Sequence, residues 1–273
     1  NARPGQNIGL NLTRATLDAA SKYPWTKKPD SNKFGVYADD LDVFTWMRGD
    51  RTDTQTCFEA QVMDWSDDVS YSVHDIEDGI HAGHLSVGIL NSESGRSEVI
   101  EIARSWYGQQ FTADELEAAL IRLSELPCWP ASFDGTTKSL AALKNMTSTL
   151  VGRFCKAAAT ATREQFGMGN LTRYHAKLIV PESARYEVTA LKALSARFVM
   201  SRTGIETVYA HQRQQIVDLV TAISDDPLSR LDSVHKDLWI CSDSDAQKLR
   251  CVIDQVASLT DVSAQQWHTE LCA

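Results

Sequence analysis

The stretch that decides the fold is TQTCFEAQVMDWSDDVSYSVHDIEDGIHA, residues 54–82. Large apolar side chains recur along it at the spacing of one helical face: Phe58, Val62, Trp65, Val69, Val73, Ile76 and Ile80. Glycines at positions 79 and 83 mark its end. The stretch therefore predicts one long amphipathic helix whose apolar face packs into a core.

The opposite face of this helix carries an acidic stripe. At about 100° per residue, the following side chains fall within an arc of about 100°: Asp64, Asp67, Asp68, Tyr71, Asp75 and Asp78. Carboxylates one turn apart repel by a few tenths of a kcal/mol per pair, and no Lys or Arg lies between them in the sequence. Two interpretations are open: a solvated acidic surface, or the wall of a pocket in which a divalent cation takes oxygen ligands.

The composition excludes several classes of protein. The 273 residues include 27 basic and 36 acidic side chains, a net charge of −9, so we expect no broad nucleic-acid surface. No run approaches 18 apolar residues, which predicts no membrane span and no membrane partner. The six cysteines include no C-x-x-C pair, which favours reduced thiols in a cytoplasmic protein.

Helical periodicity dominates the rest of the chain. Helices are predicted at about residues 10–21, 39–47, 97–107, 113–126, 138–164, 183–200, 204–224, 244–260 and 263–271. Only residues 173–180 alternate like a strand. The sequence predicts an all-α fold, a single helical domain over residues 1–273 with at most one small β-hairpin.

Four blocks carry a resemblance to a known family. They are Gly9-Leu-Asn-Leu-Thr13, Lys22-Tyr-Pro-Trp25, the helix from Asp67 to Asp78, and Asp254-Gln-Val-Ala-Ser-Leu-Thr-Asp261. Over essentially its whole length the chain resembles the bacterial deoxyguanosinetriphosphate triphosphohydrolase-like proteins, which belong to the HD-domain superfamily and are similar to the mammalian SAM-and-HD-domain dNTPase. The resemblance implies an HD-domain-like helical bundle that forms homo-oligomers. When complete, it hydrolyses a dNTP such as dGTP to the deoxynucleoside and triphosphate, with Mg²⁺ or Mn²⁺.

The resemblance also assigns site residues. The family's later metal-ligating Asp matches Asp67, and its sugar-contacting Tyr and Asp match Tyr71 and Asp75. We expect these three side chains to face one shared cavity. Residues 191–213 resemble the family's helix near the substrate phosphates, which makes Arg202 and Tyr209 the candidates for substrate binding.

One departure from the family limits what this chain is expected to do. The family's first His and its His-Asp pair lie upstream of the Gly9 block, and the seven histidines here do not form that pattern. We therefore expect a C-terminal portion that binds no metal tightly, hydrolyses nothing alone and carries no catalytic residue beyond the ligand Asp67. The alternatives are a non-catalytic nucleotide-sensing or oligomer-assembly module, and an acidic helical interaction protein with a merely solvated stripe.

Overall fold

The computed structural model describes residues 10–200 and 205–272. These residues form helices and two isolated β-bridges, Thr26–Val36 and Lys28–Ser31, without a strand or sheet. The all-α prediction is confirmed. The chain divides into two compact units with the boundary between residues 201 and 202. The single domain over residues 1–273 stays a prediction, because compactness does not decide whether the units fold independently.

The first unit contains seven α-helices in the part of the chain that the structure describes. They are α1 (Arg14–Ala19), α2 (Leu41–Arg48), α3 (Phe58–His81), α4 (Glu93–Tyr107), α5 (Ala113–Ser124), α6 (Thr137–Phe166) and α7 (Glu182–Ser195). A π-helical turn, Ala196–Met200, continues α7, and short 3₁₀ turns lie at Ala38–Asp40 and Val87–Asn91. The helices predicted at 138–164 and 183–200 correspond to α6 and to α7 with its π-helical turn.

The core of the first unit forms where α3, α4 and α5 pack around α7, with α6 against α3. The predicted apolar face of α3 is buried from Trp65 to Ile80. At the beginning of the helix Val62 is exposed, whereas its neighbour Ala60 is buried. Burial of such a stripe, rather than helix propensity, supplies most of the stability of a helix in a folded protein.

The predicted strand at residues 173–180 is wrong. This segment crosses the unit as an irregular extended chain whose backbone N–H groups bond to helix side chains instead of to a partner strand. The N–H of Leu178 donates to Gln61 Oε1 on α3, and that of Ile179 donates to Thr162 Oγ1 on α6, each at 3.0 Å. Buried backbone donors must be paired, and two side chains do here what a β-ladder does elsewhere.

The second unit contains α8 (Ile205–Asp225), α9 (Pro227–Arg230), α10 (Ser233–Ile240), α11 (Asp245–Ala257) and α12 (Asp261–Cys272). Its core is small, with Ile223, Leu231 and Val252 fully buried. Helix α10 was not predicted, although Asp232 caps it by accepting a hydrogen bond from the His235 N–H at 2.8 Å.

No helix within the described ranges is long and apolar enough to span a membrane.

A buried carboxylate joins α3 to α6. Glu77 accepts a hydrogen bond from Thr147 Oγ1 at 2.5 Å and pairs with Lys144. Burial by itself raises the pKa of Glu77, but the bonds from Lys144 and Thr147 outweigh it, so the pKa lies below the usual 4.5. The ion pair therefore stabilises the fold only while Glu77 is ionised.

We expect the Glu77→Gln variant to lose a pH-dependent part of its stability. A lowered folded-state pKa contributes stabilisation that is present above pH 4.5 and lost as the pH falls through the folded-state pKa. In urea titrations between pH 7 and pH 3, the difference in unfolding free energy between wild type and Glu77→Gln should shrink below pH 4.5. Glu101→Gln, on the exposed face of α4, is the control. A difference that stays constant down to pH 3 contradicts this assignment.

Candidate acidic site on helix α3

Lysines from other elements neutralise much of the acidic stripe. Lys22, after α1, places Nζ 2.6 Å from Asp64 Oδ1 and 3.1 Å from Asp67 Oδ2. Lys192, on α7, places Nζ 2.9 Å from Asp68 Oδ1. The hydrogen bond to Asp64 is the main cause that raises the pKa of Lys22 above its usual value, so the lysine stays charged. Each pair is part-exposed and contributes about 0–1 kcal/mol.

The three predicted stripe residues have different environments. Asp67 has 42% of its side chain exposed and pairs with Lys22. Tyr71 is 68% exposed, so most of its ring lies in solvent. Asp75 is half-buried, and its Oδ2 accepts a hydrogen bond from Ser195 Oγ at 2.7 Å. The expectation that all three face one shared cavity is therefore not met among the described residues, because Tyr71, which lies between Asp67 and Asp75 on the helix surface, is open to solvent.

Two neighbours of the stripe were not predicted as site residues. Tyr107, at the end of α4, lies under Lys192, whose Nζ is 5.0 Å from the ring centroid. Burial raises the pKa of Tyr107, and the carboxylates of Asp68 and Asp75 raise it further. The periodicity of α3 does not predict which side chains of α4 and α7 contact the stripe. The only signal in the sequence was that Lys192 lies in the 191–213 stretch.

A cavity of about 150 Å³ borders the first half of α3. Its charged lining residues are Lys22, Asp64, Asp68, Lys177 and Arg185, whereas Asp67, Tyr71 and Asp75 do not line it. The stripe thus has two sides, an open one at Tyr71 and a cavity-facing one at Asp64 and Asp68.

A metal ion does not fit the described residues by themselves. Residues 10–200 and 205–272 contain no group of three or more His, Cys, Asp or Glu side chains placed to hold one. Asp67 offers one carboxylate, and Lys22 is its present counter-ion. The Mg²⁺ or Mn²⁺ cofactor stays a prediction that needs ligands beyond these.

The remaining substrate-binding candidates lie elsewhere in the chain. Arg202 falls outside the described residues. Tyr209 lies on α8 in the second unit, with its side chain exposed. Their predicted role toward the substrate phosphates stays a prediction.

Comparison with known proteins places the chain among phosphohydrolase relatives. Residues 178–270 match the model of a phosphohydrolase-associated domain. Proteins named deoxyguanosinetriphosphate triphosphohydrolase-like protein are similar over nearly the whole chain: one of Streptomyces coelicolor (48% identical, 97% of this chain, 64% of the relative), one of Bifidobacterium longum (43%, 98%, 59%) and one of Corynebacterium efficiens (38%, 94%, 62%).

The chain spans about three fifths of the length of these curated relatives. The match to the phosphohydrolase-associated domain covers most of the second unit. The resemblance to the deoxyguanosinetriphosphate triphosphohydrolase-like proteins is confirmed, since relatives of that name match nearly the whole chain and residues 178–270 match the phosphohydrolase-associated domain.

Proposed function

We propose that the protein containing this chain hydrolyses a dNTP, with dGTP as the first substrate to test, to the deoxynucleoside and inorganic triphosphate. The observation that supports it is the 48% identity with a relative of that name across 97% of the chain. In this reaction the oxygen of water bonds to the α-phosphorus, and the bond between that phosphorus and the 5′ oxygen breaks. The 5′ oxygen leaves with a proton as the nucleoside hydroxyl.

In this proposal, Asp75 and Tyr71 on α3 both contact the sugar of the nucleotide, each in a different way. Ser195 Oγ holds one oxygen of Asp75 at 2.7 Å, which orients the carboxylate to accept a hydrogen bond from the sugar 3′-hydroxyl. Tyr71 presents its exposed ring for the sugar to lie against, where a 2′-hydroxyl is crowded. This pairing selects a deoxyribose over a ribose.

Asp67 is proposed as one ligand of a divalent metal ion, Mg²⁺ or Mn²⁺. When bound, such an ion supplies Lewis-acid polarisation of a phosphate oxygen. Asp67 suits this role because its side chain is part-exposed and its ion pair with Lys22 spans 3.1 Å at the surface. The other ligands must come from residues outside the described set.

Product analysis of the complete gene product tests the reaction class. After incubation with dGTP and Mn²⁺ or Mg²⁺ and removal of the ion with a chelator, ³¹P NMR should show triphosphate, and liquid chromatography should show deoxyguanosine in an equal amount. The 273-residue chain under the same conditions should turn over no dGTP, because its described residues hold no metal group. Formation of dGMP and pyrophosphate, or turnover by the 273-residue chain, contradicts the proposal.

A second candidate is a nucleotide-sensing or oligomer-assembly module without catalysis. The lack of a metal-holding group within the described ranges favours it. Binding of dGTP to the complete protein without turnover, together with a change in subunit number by light scattering, is the result that identifies it.

Both candidates include assembly into a homo-oligomer. The six free thiols suit the proposed cytoplasmic location.

A further inference from the structure

The cavity beside the first half of α3 has a distinctive charge distribution. Helix α3, the extended segment at residues 177–180 and the beginning of α7 enclose it. At about 150 Å³ it is smaller than the roughly 300 Å³ at which pockets for drug-sized ligands begin. Its size suits one small polyatomic ion rather than a nucleoside.

Each of the two carboxylates in the wall already has a lysine partner. Asp64 pairs with Lys22 at 2.6 Å, and Asp68 pairs with Lys192 at 2.9 Å. Lys177 and Arg185 also line the cavity, and neither has an ion-pair or hydrogen-bond partner for its side-chain charge among the described residues. Lys22 is shared between Asp64 and Asp67, so four cations (with Lys192, Lys177 and Arg185) meet three carboxylates (with Asp68), and one positive charge remains in excess. Lys177 and Arg185 are both exposed, so their charges are accessible to a solute anion.

A buried hydrogen-bond donor in the same wall also lacks a partner. Trp65 is 9% exposed, and its indole N–H is buried without an acceptor in the described structure. An unpaired buried donor costs about 1–3 kcal/mol. Gln61, the neutral amide in the wall, already uses its oxygen for the Leu178 N–H and its nitrogen for the Thr56 carbonyl. The side chains that line the cavity therefore offer unpaired hydrogen-bond donors and positive charges, which suit an anion better than a cation.

We propose that this cavity binds a single phosphate-class oxyanion between Lys177 and Arg185, with the buried Trp65 indole in the wall as a reporter of its occupancy. A guanidinium offers two parallel N–H bonds to such an anion, and an ammonium adds a point charge. The site is separate from the open face of Tyr71 and Asp75. Binding of the anion in this cavity requires neither nucleotide hydrolysis nor a bound metal ion. The anion is either free phosphate or a phosphate group of a nucleotide.

NMR of the 273-residue chain tests this site. The chain has seven tryptophans, and the loss of one indole ¹H–¹⁵N signal in Trp65→Phe assigns that of Trp65. Titration with inorganic phosphate at constant ionic strength should shift this signal saturably, whereas sodium chloride should not. In a parallel arm, dGTP that competes with phosphate identifies a nucleotide phosphate as the ligand, and dGTP without effect identifies the free anion.

Variants decide which side chains hold the anion. Lys177→Gln and Arg185→Gln should each weaken phosphate binding at least about tenfold in calorimetric titration, which is about 1.4 kcal/mol. Lys156→Gln removes the same charge from an exposed position on α6 and should leave the affinity unchanged. Circular dichroism verifies that each variant is folded. Absence of phosphate binding to the wild-type chain, or equal affinity in Arg185→Gln and Lys156→Gln, overturns the proposal.

Discussion

Under the proposed function, replacing Asp67 with Asn should lower dGTP turnover by the complete protein by at least about 100-fold without unfolding it. Loss of a residue that merely orients a metal ligand already costs 10–100-fold, and loss of a ligand's charge costs more. The folding cost is small because Asp67 is 42% exposed and, among the residues that the structure describes, bonds to Lys22 alone, at 3.1 Å. Steady-state kinetics and urea denaturation of the same preparation measure the two effects.

Asp64→Asn is the matched control for this prediction. Asp64 lies one turn earlier on the same helix and shares the same partner, with Lys22 Nζ at 2.6 Å. Its replacement should leave kcat within a fewfold of wild type. If Asp67→Asn keeps more than a tenth of the wild-type kcat, or if the two variants lose activity equally, Asp67 has no special role.

The largest stability effect is expected at a buried charge cluster that joins α1, α2 and the segment before α7. Asp18 is 1% exposed and accepts hydrogen bonds from Tyr174 Oη and Arg173 Nη2, each at 2.6 Å. The buried Arg48 Nη1 lies 3.3 Å from the other Asp18 oxygen and donates to the Gln55 carbonyl at 3.0 Å. The cluster thus contains two nearly inaccessible charges that depend on each other.

We expect Asp18→Asn to lower the free energy of unfolding by about 3–5 kcal/mol. Removing one partner of a buried ion pair is strongly destabilising. Among the described residues, Arg48 then keeps only its 3.2 Å pair with the part-exposed Asp53, and Arg173 loses its 2.6 Å partner. Urea denaturation followed by circular dichroism measures the loss. Asp30→Asn changes the same functional group at an exposed position and should stay within about 0.5 kcal/mol of wild type. A loss below 1 kcal/mol in Asp18→Asn shows that the cluster relaxes or hydrates.

Local patterns in the sequence predict elements well where one helix face is buried. The apolar stripe of α3 from Trp65 to Ile80 is an example, since each of its large side chains packs into the core. Alternation at residues 173–180 failed, because distant side chains on α3 and α6 satisfy this segment's backbone groups. Helix α10 was missed because it has only eight residues and follows the four-residue helix α9, so neither shows a sustained helical period.

The candidate site was harder to predict because its partners are far apart in sequence. Asp67 and Lys22 are separated by 45 residues, and Asp68 and Lys192 by 124. Periodicity places the acids on one face but does not reveal which cations meet them. The sequence likewise does not reveal that Asp18 and Arg48 pair with each other. Charged residues of these types are rarely fully buried without a partner, so their burial could be inferred only once the pair was known.

The discrimination between dGTP and GTP tests the central claim, that the α3 face bearing Asp67, Tyr71 and Asp75 meets the deoxyribose. The ratio of kcat/KM for dGTP over GTP should fall at least about tenfold in Tyr71→Ala, since about 1.4 kcal/mol of crowding against the 2′-hydroxyl disappears. Tyr71→Phe keeps the ring and should keep the ratio. A Tyr71→Ala enzyme that turns over dGTP with an unchanged ratio contradicts the account.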